Sequence, residues 1–319
     1  MSEEGIGQKC FFSIVIPTYN RAPLLQRAIR SCLAQGFRDF EILVVDDGST
    51  DGTRDMVAGL AESRIRYLCQ TNAGAACARN HGARESVGDY IAFLDSDDEF
   101  LAGKLEAFHA AITSAERAGT ALDNLVWYSP LYFHRGAGTR SVKPGRGIQP
   151  GERVGDYLFV NGGMMQTSTL VIPRDLFLRV GFNQQLRNLQ DLDLCLRLEA
   201  AGARFQMLGT PLSVWYDDSR EGRVSYATTP EQVRAWANAQ RGTLSDRAYY
   251  GLLVRYLLPL SARRHPIANA LLLGTAIRHG SVSALRGGSL MLRGTMPGIY
   301  GRLRDRLVSW RRTLSLIHI

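Results

Sequence analysis

Three carboxylates fall within four positions at Asp95-Ser96-Asp97-Asp98, directly after the apolar run Tyr90-Ile91-Ala92-Phe93-Leu94. Such a run is expected of a strand buried on both faces. In extended chain, residues i and i+2 point to the same side, so Asp95 and Asp97 are expected to project together from the strand end. Two carboxylates placed in this way repel unless a cation lies between them. Hard oxygen ligands suit Mg2+ or Mn2+, which keep positions open for substrate phosphates. The competing reading is a solvated acidic turn ahead of a helix that starts near Leu101, and a short Asp-x-Asp does not decide between the two. A second acidic group is Asp191 and Asp193. The leucines Leu192, Leu194, Leu196 and Leu198 alternate with period two, yet they also form i,i+4 pairs, and Gly202 is a good helix stop. A helix is expected, because it places both acids in a first turn, where the macrodipole favours negative charge. There they are either helix-stabilising acids or a general base.

Alternating strands and helices must position these groups. Residues 12–16 read as a first buried strand ended by Pro17, and 21–34 as an amphipathic helix burying Leu24, Leu25, Ala28, Ile29 and Cys32. Strands are expected at 40–45, 64–69 and 89–94. A Gly-, Asp- and Ser-rich turn at 46–53 leads into the second helix, and a third helix is expected at 73–86. Four β-α alternations in succession imply an α/β fold with a parallel sheet between helices. The turn after the first strand, Pro17-Thr18-Tyr19-Asn20-Arg21, holds no glycine, which excludes the dinucleotide-binding and P-loop patterns. Further on, a strand is expected at 123–129, a Gly-, Arg- and Lys-rich mobile loop at 131–150, and a strand at 169–172 with Pro173 opening a helix. Two short strands at 204–208 and 212–216 follow.

The 319 residues allow one large domain or two unequal ones, with an ordinary globular composition. Five scattered cysteines without a C-x-x-C or Cys/His cluster argue against a zinc site and point to a reduced cytosol. The polar N-terminus is no signal peptide, and the apolar runs are too short to span a bilayer. The net charge of +8 is uneven: from residue 251 onward there are eleven arginines against Asp305 alone. This excess implies an anionic partner. The aromatic-basic interleaving of a nucleic-acid platform is absent, so no nucleic acid is expected.

Four blocks together resemble family 2 glycosyltransferases: Ile14-Val15-Ile16-Pro17-Thr18-Tyr19-Asn20-Arg21, Val44-Val45-Asp46-Asp47-Gly48-Ser49-Thr50-Asp51, Asn72-Ala73-Gly74 with Ala78-Arg79-Asn80, and Asp95-Ser96-Asp97-Asp98. Their order and spacing match as well, over about residues 12–220. The resemblance implies a GT-A fold, an inverting mechanism and a nucleotide-diphosphate sugar donor, UDP- or dTDP-linked. It further implies that Pro17, Tyr19, Asn20, Asp47, Gly74, Asn80, Asp95 and Ser96 bind the sugar nucleotide. Asp97 and Asp95 are implied to hold Mn2+ or Mg2+, with Asp98 in support or facing solvent. In such enzymes a Glu-Asp pair opens the late helix and its Asp is the base; here the pair is Gln190-Asp191, which selects Asp191 over Asp193. Gly162, Gly163 and Gln190 fall on the acceptor side. Arg79 is expected in a helix-surface ion pair ahead of the other reading, a contact to phosphate. Many relatives carry a metal-site histidine where this chain has residues 217–223, and Asp217, Asp218 or Arg223 would have to stand in for it.

Two alternatives remain open at this point. A sugar nucleotidyltransferase would usually show a Gly-rich or basic loop after the first strand, and an inactive nucleotide-sugar-binding relative would be expected to lose Asp97 or Asp191. The expected organisation is a short disordered N-terminus (1–11), a glycosyltransferase domain (12–226) and a basic, helical extension (227–319). In the extension, helical segments at 249–260 and 267–277 suit packing on the core or a membrane surface. The expected location is cytoplasmic, at the inner face of the cytoplasmic membrane, with a glycan or lipid-linked acceptor. The last residues, Ser315-Leu316-Ile317-His318-Ile319, look unlike a natural domain end.

Overall fold

In the computed structural model, which describes residues 9–135, 139–216 and 228–295, strand β1 (Phe12–Thr18) is buried along its whole length. It is followed by α1 (Ala22–Leu33), β2 (Phe40–Asp46), α2 (Thr53–Ala58), β3 (Ile65–Cys69), α3 (Ala75–Glu85) and β4 (Tyr90–Phe93). Next come β5 (Glu99–Phe100), α4 (Lys104–Arg117), β6 (Leu125–Tyr128), β7 (Leu131–Arg135), β8 (Thr139–Lys143) and α5 (Val154–Phe159). The series continues with β9 (Leu170–Pro173), α6 (Arg174–Val180), α7 (Gln190–Ala200), β10 (Arg204–Met207) and β11 (Ser213–Tyr216). Helices α8 (Pro230–Ala239), α9 (Asp246–Leu252), α10 (Leu258–Ser261), α11 (Pro266–Arg278) and α12 (Ala284–Thr295) complete the described chain.

The described residues divide into two compact units, one of residues before 155 with 163–216, the other of 155–162 with 228–295. Residues 155–162, expected in the glycosyltransferase domain, therefore belong with the helical unit.

The larger unit is built on a seven-stranded sheet in the order β10-β6-β9-β4-β1-β2-β3. Neighbours run parallel except β9, which is antiparallel to both β4 and β6. The chain steps from β1 through β2 to β3 on one side and then returns to β4 on the other. That reversal opens a crevice at the carboxyl ends of β1 and β4, where ligands bind in open α/β sheets. Helix α1 lays Leu25, Ala28, Ile29 and Cys32 on the sheet. Helix α3 lies closer still: a Cβ on Gly82 would fall 2.6 Å from Val15 Cγ1 and 2.9 Å from Val45 Cγ2. Only a bare backbone fits there.

Three local expectations need correction. Strand β1 does not end at Pro17, which pairs with Val45 inside the sheet. The Val15 carbonyl bonds Leu94 N on the β4 side, so the N–H that Pro17 lacks would face the side where β4 has already stopped, a position proline tolerates. Residues 131–150 are not a loop throughout. β7 and β8 join β11 and β5 in a second sheet, ordered β5-β11-β7-β8, with Leu131 to Arg135 opposite Lys143 to Thr139. Glycines and charges obscured the strand-forming run Leu131-Tyr132-Phe133. Finally, Pro173 ends β9 and precedes α6 rather than opening it.

In the helical unit, Thr229 and Gln232 cap α8 reciprocally. Helix α9 runs into α10 through a wide turn, Leu253–Leu257, in which Leu258 N bonds the Leu253 carbonyl. Pro259, with no N–H to give, sits one residue beyond. Phe159 meets Trp236 and Tyr256 edge-on at 6.3 and 6.2 Å. Among the described residues no helix is long and apolar enough to cross a membrane.

Candidate active site

The carboxyl ends of β1, β2 and β4 gather most of the expected residues. Strand β4 stops at Phe93, and residues 95–98 form a tight turn closed by Asp98 N to the Asp95 carbonyl at 2.9 Å. Strand alternation therefore does not align Asp95 with Asp97. The turn does the work instead, bringing one oxygen each of Asp95, Asp97 and Asp98 within 4.8 Å of one another.

Each acid of the turn has its own partner. Asp95 Oδ1 accepts from Arg79 Nη2 at 2.5 Å and Oδ2 from Gln166 Nε2 at 3.1 Å. Asp97 pairs with Arg21 Nη1 at 3.2 Å, and its carbonyl accepts from Arg27 at 2.6 Å. Asp98 does not face solvent: it is fully buried, its Oδ2 accepting from Ser168 Oγ (2.6 Å) and Gln166 Nε2 (2.9 Å). Burial, reinforced by the Asp97 and Asp95 charges, holds its carboxyl well above the ordinary range. Asp98 Oδ1 is buried with no partner among the described residues. An orphaned carboxylate oxygen beside two more carboxylates is a donor set that fits a hard divalent cation.

Below the turn sits Lys104, fully buried, donating to the Ser168 carbonyl (2.7 Å) and Ser213 Oγ (2.8 Å). Desolvation lowers its ammonium to about 7, with Cys32 and Asp98 opposing. Ser168 also accepts from Asp95 N at 3.0 Å. Gln166 and Ser168 reach the turn from 68 and 70 positions away, which local sequence does not announce, and Lys104 meets it through Ser168. The signal that could have found them is the polar Gln166-Thr167-Ser168 immediately before a buried strand.

The residues expected at the nucleotide are held by loops. Asn20, at φ +50°, donates its N–H to Ser49 Oγ and accepts from Thr50 N, both at 2.8 Å, which ties the β1–α1 loop to the β2–α2 loop. Tyr19 is half exposed and Pro17 buried. Asp47 is buried and receives Ala73 N and Gln70 Nε2 on Oδ1 and Gly74 N on Oδ2, all at 2.8 Å. It thereby fixes the loop before α3, where Gly74 takes φ +93°. Ser96 is buried in the turn. Asn80, also expected at the sugar nucleotide, is buried, and its amide bonds the Phe182 N–H and carbonyl, both at 2.8 Å.

Helix α7 is a helix, with Asp191 and Asp193 in its first turn. Asp193 is buried, whereas Asp191 is partly exposed, its Oδ1 accepting from Leu192 N at 2.9 Å. The protein around Asp191 desolvates it and raises its carboxyl to about 6; the Leu192 N–H opposes this and the Asp95 charge adds to it. Leu189, just before the helix, holds the left-handed φ of +61°, a strained position for a residue other than glycine. Gln190 accepts from Arg79 Nη1 at 2.7 Å. Arg79 is therefore no surface residue. It is 7% exposed and links Asp95 on the β4 turn to the start of α7. Gly162 is exposed at φ +77° and groups with the helical unit, while Gly163 is buried in the larger one. Asp217, Asp218 and Arg223, the candidates to replace a histidine, lie outside the described residues.

Residues 13–172 match the family described as Glycosyl transferase family 2. The amylovoran biosynthesis glycosyltransferase AmsB of Erwinia amylovora is 30% identical over 254 residues, 78% of this chain and 83% of that protein. The chain belongs to glycosyl transferase family 2. Among other relatives, the UDP-Glc:alpha-D-GlcNAc-diphosphoundecaprenol beta-1,3-glucosyltransferase WfgD of Escherichia coli is 45% identical over 95 residues, 30% of this chain and 38% of its own. A solved structure of S. aureus TarS 1–349 in complex with UDP-GlcNAc superposes with a TM-score of 0.60 at 19% identity, covering 89% of this chain and 81% of that one. The fold is accordingly GT-A, and this family 2 glycosyltransferase is a transferase enzyme. Its acidic turn stands at the strand ends where the GT-A sheet leaves its crevice.

Proposed function

We propose that this glycosyltransferase moves a sugar, with inversion, from a UDP- or dTDP-linked donor to a hydroxyl of a glycan or lipid-linked acceptor. The observation that carries this reading is the coupling of two acidic groups through Arg79, one bearing Asp95, Asp97 and Asp98, the other Asp191. Pro17, Tyr19 and Asp47 line the nucleoside, and the second acceptor position on Asp47 Oδ2 receives the imide N–H of a uracil or thymine ring. Asp95, Asp97 and Asp98 hold Mn2+ or Mg2+, which supplies Lewis-acid neutralisation of the departing diphosphate. Asp191 takes the proton of the acceptor hydroxyl as that oxygen attacks the anomeric carbon. A base near 6 is ionised at neutral pH yet basic enough to draw the proton. One displacement inverts the anomeric centre, so no second carboxylate is needed as nucleophile. Arg79 holds Asp95 and Gln190 in fixed relation while this happens. The donor is supported by UDP-GlcNAc in TarS and UDP-Glc in the name of WfgD, the acceptor by the diphosphoundecaprenol of WfgD and the amylovoran of AmsB.

The C-terminal arginines hold the enzyme at the anionic inner face of the cytoplasmic membrane, where a lipid-linked acceptor resides. Each basic residue near such a surface contributes about 1 kcal/mol, screened by salt. The deciding experiment offers the protein a panel of nucleotide sugars with Mn2+ and an acceptor, and measures released nucleoside diphosphate. Acceptor-dependent release from a UDP- or dTDP-sugar is expected; no release from any donor overturns the reading.

A further inference from the structure

The helical unit contains a cavity of about 1180 Å³ that the transfer chemistry does not use. Arg255, Arg263, Arg264 and Arg286 line it, against one carboxylate, Glu231. Among the described residues, none of these four guanidiniums has a carboxylate within ion-pair distance. Arg255 is held in place, its Nη1 donating to the Leu158 carbonyl at 2.9 Å, and it leaves the helix within the wide turn Leu253–Leu257. Such π-type turns are frequent at functional sites. Guanidiniums stay charged at any physiological pH, so four of them around one concavity repel each other and focus a positive field into it. The lining also holds the apolar side chains of Val254, Leu260, Val282 and Leu290. Of the eight large apolar side chains exposed in the described residues, five fall in this unit: Leu260, Ile267, Leu271, Ile277 and Leu285.

The geometry points to a binding site for a phosphate-bearing lipid, its phosphate or diphosphate held by Arg255, Arg263, Arg264 and Arg286 and its first hydrocarbon units against Leu260 and Leu290. Guanidinium forks match phosphate oxygens two at a time, and the volume slightly exceeds that of a drug-sized ligand site. The same chemistry has two sources, a lipid-linked diphosphate and a bulk membrane phospholipid. The cavity is lined by residues of the helical unit alone, and the following test reads binding rather than transfer.

The full chain is titrated calorimetrically with farnesyl diphosphate, inorganic pyrophosphate and farnesol, and sedimented with phosphatidylcholine vesicles with and without phosphatidylglycerol. Farnesyl diphosphate is expected to bind at least about tenfold more tightly than pyrophosphate or farnesol alone, a margin of about 1.4 kcal/mol. Arg264→Ala and Arg286→Ala, both at exposed positions, each weaken it by about tenfold or more. Arg278→Ala, an exposed arginine outside the cavity, leaves it unchanged. If phosphatidylglycerol vesicles show this variant pattern and farnesyl diphosphate does not bind, the site stands and its source is the bulk membrane. Binding that Arg278→Ala weakens as much as Arg264→Ala, or no binding of either probe, overturns the site. Melting temperatures within a degree or two of wild type confirm that the variants are folded.

Discussion

Charge is handled in opposite ways at the acidic turn and in the cavity of the helical unit. In the turn, Asp95 and Asp97 each have a guanidinium in ion-pair contact, and Ser168 and Gln166 serve Asp98. In the cavity, four guanidiniums share the lining with no carboxylate in ion-pair reach among the described residues. The difference is one between acids already held by partners of the protein itself and guanidiniums whose carboxylate-free side is left for an anion. Paired charges are oriented but weak in field, whereas guanidiniums without a carboxylate partner keep a strong field.

Removing an acid of the turn tests the oriented side most severely. Asp97→Ala should abolish transfer, and EDTA should do the same to the wild type, as read by nucleoside diphosphate release. Full turnover in excess chelator would dismiss the metal site. Asp191→Asn is next, with a loss of about a hundredfold or more and little change in donor binding. In the wild type the rate should fall as pH drops through about 6, because the base must be ionised and its carboxyl titrates there. Above that value the rate should be flat. A profile that Asp191→Asn leaves unshifted, or a crippling Asp193→Asn beside a silent Asp191→Asn, would assign the base wrongly.

Stability effects should be smaller. Gly82→Ala forces a methyl against Val15 and Val45 and should cost about 1–3 kcal/mol, read as a lowered midpoint in urea. Lys104 has a folded pKa of about 7, depressed from 10.5. The unfolded chain therefore binds the extra proton between those values, and wild-type stability should rise with pH across that window. Lys104→Met should flatten the rise, by at most about 1.4 kcal/mol per pH unit; an unchanged slope would mean that another group titrates. The guanidinium side should give the most graded response. Sedimentation with anionic vesicles should decline smoothly with salt, and single arginine changes outside the cavity should each move it only slightly.

What could be read in the sequence is what is local. The β-α alternation, the amphipathic face of α1 and the placement of Asp191 at a helix start all follow from periodicity and neighbouring residues. The convergence of Asp95 and Asp97 was anticipated for the wrong reason, since a turn, not strand alternation, makes it. Long-range partners stayed hidden. Nothing near Arg79 in sequence announces that it reaches Gln190, 111 positions away, or that Asn80 clamps Phe182, 102 positions away. Strand β7 is hidden because one partner, β11, lies far along the chain, and the glycines and charges in and between β7 and β8 mask the pairing of those two. The buried state of Asp98 depends likewise on Ser168 and Gln166, 70 and 68 positions away.

Arg79 and Arg21 have a consequence for the enzyme at rest. Each stands where it neutralises one carboxylate of the turn with no ion required. These two side chains are resident stand-ins, and under the proposed metal reading a divalent cation would meet a scaffold already assembled rather than a knot of mutually repelling acids. Chelation should accordingly silence the enzyme while leaving its melting temperature almost where it was, so that in this fold the loss of catalysis and the loss of structure are separate events.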